Sequence, residues 1–333
     1  MLIAFVALGF GYFIYSKWLE KTWGIDPKQP TPAVKNAGGD YAPASKWTVA
    51  AHQFTSITGA GPVTGPIIAA MFGWLPALLW MLIGGVFFGA VQDFASMYAS
   101  VKNKGRTIGY IIEEYIGKLG KKLFLLFCWL FCILVVAAFA DVVAGTFKGF
   151  TVDEAGAVTK IAANGAVATT SMLFIIEAVA LGYFLKYTKF NKWINTAVAI
   201  LLLVAAIALG LNFPVYVDLG TWHIIIFVYI LIASVAPVWA LLQPRDYLNS
   251  YLLIFMIVGA VIGVFVANPA CNLKPFTSFN VNGQYMFPIL FVTIACGAVS
   301  GFHSLVSSGT ASKQIKNEKN MLPVSFGAML MES

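Results

Sequence analysis

Long apolar runs alternate with short polar segments along the whole chain. A helix needs about 20 apolar residues to cross the roughly 30 Å of a bilayer's hydrocarbon core. Runs of suitable length and composition lie at 1–16, 48–70, 72–101, 123–146, 168–186, 193–211, 222–242, 247–267 and 287–310, and a tenth starts near Leu322. The pattern predicts an all-α, polytopic membrane protein with about nine to ten transmembrane helices in a single domain that covers residues 1–333.

Composition supports this class and excludes others. The chain is 59% hydrophobic and 11% charged, with a mean hydropathy of +0.82, which no soluble class matches. Its net charge of +7 could suggest nucleic acid, but the basic residues lie in short loops between apolar runs, where membrane topology explains them. The four cysteines have neither zinc-ligand nor disulfide spacing. We therefore expect no nucleic-acid partner, no metal and no cofactor.

The lysines and arginines predict an orientation. If the N-terminus is outside, all 21 except Lys148, Lys160 and Lys274 fall in the cytoplasmic loops. These loops are 17–47, 102–122, 186–192, 243–246 and 311–321. The same distribution requires residues 48–101 to form two spans that turn at 73–76, because a single span would invert every later loop.

The two ends of the sequence also carry expectations. Residues 1–15 lack a basic region and a signal-peptide cleavage site, so we predict a retained first span, peripheral to the rest. Residues 321–333 begin an apolar segment and stop within it. We therefore expect the chain to be C-terminally truncated, a part of a longer protein.

One stretch inside an apolar run cannot form a smooth helix. Residues 52–66 read HQFTSITGAGPVTGP, with three glycines and two prolines in eight positions. Unwound backbone at membrane depth is tolerated only where it is buried in protein or lines a wet cavity. We predict a helix break and a substrate site here, while a helix merely kinked at proline is the alternative. The candidate substrate-binding residues in this stretch are His52, Thr55, Ser56, Thr58, Gly59, Gly61 and Thr64.

A second break is predicted in the run at 222–242, where Ser234 and Pro237 interrupt the helix and 243–246 ends it. It lies five spans after the first, so the two broken spans cross in opposite directions. Such antiparallel broken helices are typical of inverted-repeat transporters. The repeats would be 48–211 and an incomplete 222–333, and Ser234 and Pro237 join the candidate substrate site. Two unrelated proline kinks are the alternative.

Ionisable residues within spans are functional candidates because they are costly there. They are His52, Asp93, Asp141, Glu177, His303 and Glu332. Asp93 is either a proton carrier or a packing acceptor, and His52 is either functional or a satisfied interfacial histidine. Ser300, His303, Ser304 and Ser307 fall on one helical face, which indicates either Na⁺ coordination or proton relay, or else interhelical hydrogen bonds. Roles for Asp141, Glu177 and Glu332 stay open.

Four segments together resemble one family. HQFTSITGAGPVTGP at 52–66, GAVQDFAS at 89–96, VKNKGRTIG at 101–109, and SGFHS with SSGT between 300 and 310 are similar to the carbon starvation protein A (CstA) family. The resemblance implies an inner-membrane transporter with a LeuT-like inverted-repeat core, linked to uptake of peptides and, in some members, to proton-coupled pyruvate import. It also implies a cation site between the first and eighth core helices. With Asp93 and His303, the candidate ion-coupling residues are Thr58, Ala60, Ser304, Ser307 and Ser308.

The functional hypothesis is a secondary active transporter for peptides, pyruvate or both, coupled to H⁺ or Na⁺. Amides near 59–65, aided by half-helix dipoles, would hold a substrate carboxylate. The alternatives are a membrane nutrient sensor and, with less support, an intramembrane enzyme that uses His52, Asp93 and His303. The sequence does not fix the oligomeric state.

Overall fold

The protein is almost entirely helical. The computed structural model describes residues 2–59, 61–152, 157–188, 192–237 and 241–333. The α-helices are α1 (Leu2–Phe10), α2 (Ser16–Thr22), α3 (Pro32–Lys35), α4 (Lys46–Ile57), α5 (Gly61–Ala69), α6 (Trp74–Ile83), α7 (Ala90–Lys102), α8 (Ile108–Ile116), α9 (Lys118–Phe147), α10 (Ala162–Tyr187), α11 (Lys192–Asn212), α12 (Leu219–Val235), α13 (Leu242–Ala267), α14 (Met286–Thr293), α15 (Ala295–Ala298), α16 (Gly301–Gly309), α17 (Met321–Val324) and α18 (Phe326–Glu332).

Short helical and strand elements complete the fold. π-Helical turns at Gly11–Tyr15 and Gly84–Gly89 join α1 to α2 and α6 to α7. Single 3₁₀ turns cover Ala70–Phe72, Ala311–Lys313 and Glu318–Asn320. Two small antiparallel hairpins pair β1 (Phe150–Val152) with β2 (Val158–Lys160) and β3 (Asn280–Val281) with β4 (Gln284–Tyr285).

Five helical segments are long and apolar enough to cross a membrane. They are Trp74–Lys102, Lys118–Phe147, Ala162–Phe184, Trp193–Asn212 and Pro244–Ala267, and Leu219–Val235 is a shorter apolar helix. The prediction of an all-α, multi-pass membrane protein is therefore confirmed. The number of nine to ten spans and the LeuT-like inverted repeat stay predictions.

Two predicted boundaries have different outcomes. The turn near Gly73 is confirmed: Gly73 has φ 108° and directly precedes the helix that starts at Trp74. The loop predicted at 243–246 is wrong, because these residues form the first turn of α13, which begins at Leu242. Pro244 is compatible with that position, since the first N–H groups of a helix have no partner within it.

The chain forms two compact units. The first contains residues 1–124 and 256–333, and the second contains residues 125–255. The core of the first unit includes Phe94 and Met97 of α7 packed with Phe326 and Met329 of α18. Small residues let α10 and α11 pack closely in the second unit, where Ala178 and Ala199 are fully buried.

Loops predicted for one side of the membrane contact each other in the first unit. The Asn317 side-chain amide donates to the carbonyl of Pro27 at 2.9 Å, and the Tyr41 hydroxyl donates to the carbonyl of Lys104 at 2.9 Å. Buried Glu318 is 2.8 Å from Lys102 Nζ and accepts the backbone N–H of Asp26. These contacts join the loops 17–47, 102–122 and 311–321. All three are predicted to lie on the cytoplasmic side, and the contacts are consistent with that prediction.

The opposite ends of the helices are also joined. The Trp74 backbone N–H donates to the carbonyl of Lys274 at 3.2 Å, and the Thr277 N–H donates to the carbonyl of Phe72 at 3.0 Å. The turn at 73–76 and the segment that contains Lys274 are both predicted to lie outside. The contacts are consistent with the proposed sidedness, and the direction of the N-terminus stays a prediction.

Replacing Lys102 with Met is expected to destabilise the first unit. The substitution leaves the Glu318 carboxylate, which is 3% exposed, without its cation, at a cost of about 2 kcal/mol. The apparent midpoint of thermal unfolding of the full-length protein in detergent should fall by several degrees and recover partly with Glu318→Gln added. Lys17→Met, which breaks the more exposed pair with Glu20, is the control and should change little. Equal midpoints for the two single variants would contradict this assignment.

Candidate transport site at two interrupted helices

The first interruption lies where the glycines and prolines predict it. α4 ends at Ile57, Thr58 leaves helical geometry with φ −74° and ψ 85°, and α5 begins at Gly61. Ala60, a predicted ion-coupling residue, lies outside the described residues. The break is therefore confirmed but is narrower than predicted: Pro62 lies in the first turn of α5, where its missing N–H costs nothing, and Pro66 lies within α5.

A second interruption occurs where a continuous span was predicted, at 287–310. α15 ends at Ala298, Val299 leaves helical geometry with φ −153° and ψ 88°, Ser300 is extended, and α16 begins at Gly301. The prediction that Ser300 shares a helical face with His303 is therefore wrong, because Ser300 lies in the break. The amide of Gln92 donates at 2.8 Å to the freed carbonyl of Ser300.

The carbonyl of Gly297 is also satisfied by a side chain, since it accepts the Ser333 hydroxyl at 2.8 Å. Unpaired carbonyls would otherwise be costly in this apolar environment. Side chains from α7 and the end of α18 thus hold the second break open.

The two interruptions are in direct contact. A Cβ added to Gly61 would lie 2.5 Å from Cys296 Cβ, and one added to Gly65 would lie 2.5 Å from the carbonyl oxygen of Thr293. Real Cβ atoms do not approach other atoms so closely, so glycine is required at both positions. Gly61 and Gly65 therefore let α5, which follows the first break, lie against α14 and α15, which precede the second.

The serine stripe of α16 makes hydrogen bonds to neighbouring helices. Ser307 Oγ accepts from Gln53 Nε2 and Ser304 Oγ accepts from Gln92 Nε2, both at 2.8 Å, while Ser308 Oγ donates to the carbonyl of Ser304. The contacts of Ser304 and Ser307 correspond to the interhelical alternative for the stripe, whereas the Ser308 hydrogen bond lies within α16. Coordination of Na⁺ by Ser304, Ser307 and Ser308 stays a prediction.

The other predicted residues of the first break have varied surroundings. His52 is buried with Nε2 3.1 Å from Thr310 Oγ1, and the Thr55 hydroxyl donates to the carbonyl of Ala51. Ser56 Oγ is 3.5 Å from His52 Nδ1. Gly59 and Thr64 are exposed.

The Thr58 hydroxyl is distinctive in this group. It is buried at the break and, among the described residues, has no hydrogen-bond partner. A buried hydroxyl in this state is available to bind a solute or ion.

Ser234 and Pro237 belong to the second unit. α12 ends at Val235 and Ala236 is extended, so the predicted interruption is confirmed on its N-terminal side. The Ser234 hydroxyl donates to the carbonyl of Leu231 within its own helix. Residues 238–240 lie outside the described residues, and the role of Ser234 and Pro237 in a substrate site stays a prediction.

Three ionisable side chains from distant parts of the sequence meet in the first unit. His303 Nδ1 is 3.3 Å from Asp93 Oδ2, and His303 Nε2 is 3.4 Å from Glu332 Oε2. Asp93 and His303 are 1% and 0% exposed, and Glu332 is also buried. Asp93 and His303, both predicted to couple ions, are thus brought together.

Sequence reasoning missed several members of this site. Glu332 was recognised as costly but given no role, and Gln53, Gln92 and Cys296 were not selected. Their signal was the same as that of Asp93: each is a polar or reactive side chain inside an apolar run. The other two carboxylates predicted within spans, Asp141 and Glu177, lie in the second unit, where Asp141 Oδ1 is 3.1 Å from His223 Nε2.

Comparison with known proteins identifies the family. The family model described as "Carbon starvation protein CstA" matches residues 1–333. The chain belongs to the CstA family. This chain is 36% identical over 341 residues to the peptide transporter CstA of Escherichia coli K12, and the alignment covers 97% of this chain and 46% of that protein.

Other CstA relatives carry two kinds of name. The pyruvate/proton symporter BtsT of Escherichia coli K12 is 35% identical over 339 residues, which cover 97% of this chain and 45% of that protein. The peptide transporter CstA of Bacillus subtilis is 36% identical over 350 residues, which cover 98% of this chain and 54% of that protein. The chain spans about half the length of the curated relatives it matches, and no solved structure matches it significantly.

Gly61→Ala should destabilise the contact between the two interruptions. The new Cβ would overlap Cys296 Cβ, and overpacking of this kind costs about 1–3 kcal/mol. Adding Cys296→Gly removes the obstructing atoms and should restore the apparent thermal midpoint of the full-length protein.

The matched control is Gly145→Ala in α9, because no atom lies within 4 Å of the Cβ added there. A Gly61→Ala midpoint equal to that of this control would show that the two breaks are not in contact.

Proposed function

We propose that this chain forms part of a secondary active transporter that imports peptides, pyruvate or both, with uptake coupled to a cation. The observation that carries the proposal is the direct contact of two interrupted helices in one unit, with a buried Thr58 hydroxyl that has no hydrogen-bond partner among the described residues. In many transporters the binding site is formed by unwound backbone within apolar helices, together with neighbouring polar side chains. The named relatives supply the substrate classes.

Pyruvate and peptides share a carboxylate, and the first interruption offers groups suited to it. The backbone N–H groups of Gly61 and Val63 lie in the first turn of α5, where the helix dipole favours negative charge. The Thr58 hydroxyl adds a neutral donor. These groups would orient the carboxylate, and the remainder of the substrate would contact other parts of the complete protein.

Cation coupling would use residues close to the same interruptions. Asp93 and His303 would carry a proton, or Thr58 and Ala60 would bind Na⁺ together with the serines of α16. In either case the cation site lies beside the substrate site, so that occupation of one changes the other, as coupling requires. The proposed location is the bacterial cytoplasmic membrane, with the N-terminus outside.

The transport proposal is tested with full-length protein in proteoliposomes. Labelled pyruvate and a labelled dipeptide are each supplied with an imposed inward proton gradient, an inward sodium gradient or neither. We expect one solute or both to accumulate above the external concentration when either the proton gradient or the sodium gradient is imposed. That accumulation should be lost when an ionophore dissipates the gradient. Protein-free vesicles are the control. Absence of gradient-driven uptake of either solute would contradict the proposal and favour a sensory role.

Thr58→Val should impair uptake without unfolding the protein, because valine keeps the shape of threonine and removes the hydroxyl. Loss of one hydrogen bond to a charged group corresponds to about a tenfold or greater fall in uptake at low substrate concentration. Thr58→Ser, which keeps the hydroxyl, should retain most uptake.

Thr146→Val in α9 is the matched control, since that hydroxyl donates to a carbonyl of its own helix. Uptake by Thr58→Val equal to that of this control would remove Thr58 from the site.

A further inference from the structure

The cluster formed by Asp93, His303 and Glu332 has an unusual charge balance. Its members come from α7, α16 and α18, and one imidazole lies between two carboxylates. With no proton bound the cluster carries two negative charges, and each bound proton removes one. Two buried negative charges near each other are strongly unfavourable, so the cluster must hold at least one proton or another cation.

No lysine or arginine among the described residues contacts these carboxylates. Lys102, the basic residue of α7, pairs with Glu318 at the end of the helix. On the other packed elements, His52 of α4 contacts Thr310 and Glu113 of α8 pairs with Lys121. The charge of the cluster is therefore set within the cluster itself.

The hydrogen bonding of the cluster is incomplete in the described part of the chain. Both oxygens of Asp93, Nε2 of His303 and Oε2 of Glu332 are buried without a well-aligned hydrogen-bond partner, although His303 lies 3.3 and 3.4 Å from the two carboxylates. Buried atoms in this state need an explanation. A proton that moves between neighbouring acceptors supplies one, because several protonated arrangements then have similar energy.

The chemistry of the cluster favours a proton over Na⁺. A hard cation requires several oxygen ligands, whereas here an imidazole lies between the carboxylates. The nearby hydroxyls of Ser304 and Ser307 already accept hydrogen bonds from glutamines. The three groups can each take up and release a proton.

Cys296 connects the cluster to the contact of the two interruptions. Its Sγ lies 3.8 Å from Glu332 Oε1, and the same residue packs against Gly61. Glu332 is thus one side chain away from the first break. A change of charge at Glu332 would act on the backbone that is proposed to bind substrate.

We propose that Glu332 exchanges the coupled proton and that Asp93 and His303 hold the second one. This inference rests on the proposed transport function and names the residues of its cation step. A proton from the outside binds the Glu332 carboxylate, so the cluster changes from a net charge of −1 to 0. After the substrate has left to the inside, this proton also leaves to the inside, and the net charge of the cluster returns to −1.

The test compares two modes of transport by the full-length protein in proteoliposomes. The first is accumulation of labelled pyruvate or labelled dialanine, whichever the wild type accumulates, driven by an inward proton gradient. The second is exchange of the labelled solute for unlabelled solute at equal concentrations and equal pH, which needs no net proton movement. Glu332→Gln should lower accumulation about tenfold or more and leave exchange within about twofold.

Asp141→Asn is the matched control because it neutralises a carboxylate in the other unit, at a side chain that is 75% exposed. Both modes should be unchanged in it. If Glu332→Gln loses both modes, Glu332→Asp is measured instead, and a shift in the pH dependence of its accumulation is the expected result.

Several outcomes would overturn the assignment. Proton-driven accumulation by Glu332→Gln equal to that of the wild type would do so, as would an unshifted pH dependence in Glu332→Asp. A stoichiometric zinc ion bound to the wild type and lost in Cys296→Ser would also overturn it, since a metal would hold these ligands deprotonated. In each case wild-type uptake is intact, whereas failure of the transport proposal itself abolishes wild-type uptake.

Discussion

The cost of an unpaired backbone carbonyl in an apolar environment governs this structure. A helix interruption frees such groups, and at the break before Gly301 the fold provides polar partners for two of them. Gln92 serves the carbonyl of Ser300 and Ser333 serves that of Gly297. These partners come from helices far away in sequence, so each break also fixes how α7 and α18 pack against it. A break of this kind therefore links several helices through hydrogen bonds to its freed carbonyls.

Small residues and polar side chains have complementary roles at this site. Gly61 and Gly65 bring the backbone of one broken segment against the other, and a larger residue at either position would push them apart. The glutamines then bridge α4 and α7 to the serines of α16. Close packing thus brings the segments together, and the bridges satisfy the amide nitrogens of Gln53 and Gln92 and the hydroxyls of Ser304 and Ser307.

Two sets of buried polar groups without a hydrogen-bond partner, among the residues that the structure describes, have functional potential. The Thr58 hydroxyl lies at the first break, and the Asp93, His303 and Glu332 cluster lies behind the second. Cys296 contacts Glu332 of the cluster and packs against Gly61, which follows the first break. A substrate at the first break and a proton in the cluster would therefore share one small piece of backbone, which gives the two binding events a physical means to affect each other.

The sequence by itself determined the membrane class, the first interruption and the ionisable candidates, because hydropathy, glycine and proline act through local backbone energetics. It also identified the family. The tertiary structure decided which candidates meet. Glu332 lies more than 200 residues from Asp93 in the chain, and no local pattern encodes the packing that joins them. The break before Gly301 was missed for the same reason, since its stability depends on the side chain of Gln92 on another helix.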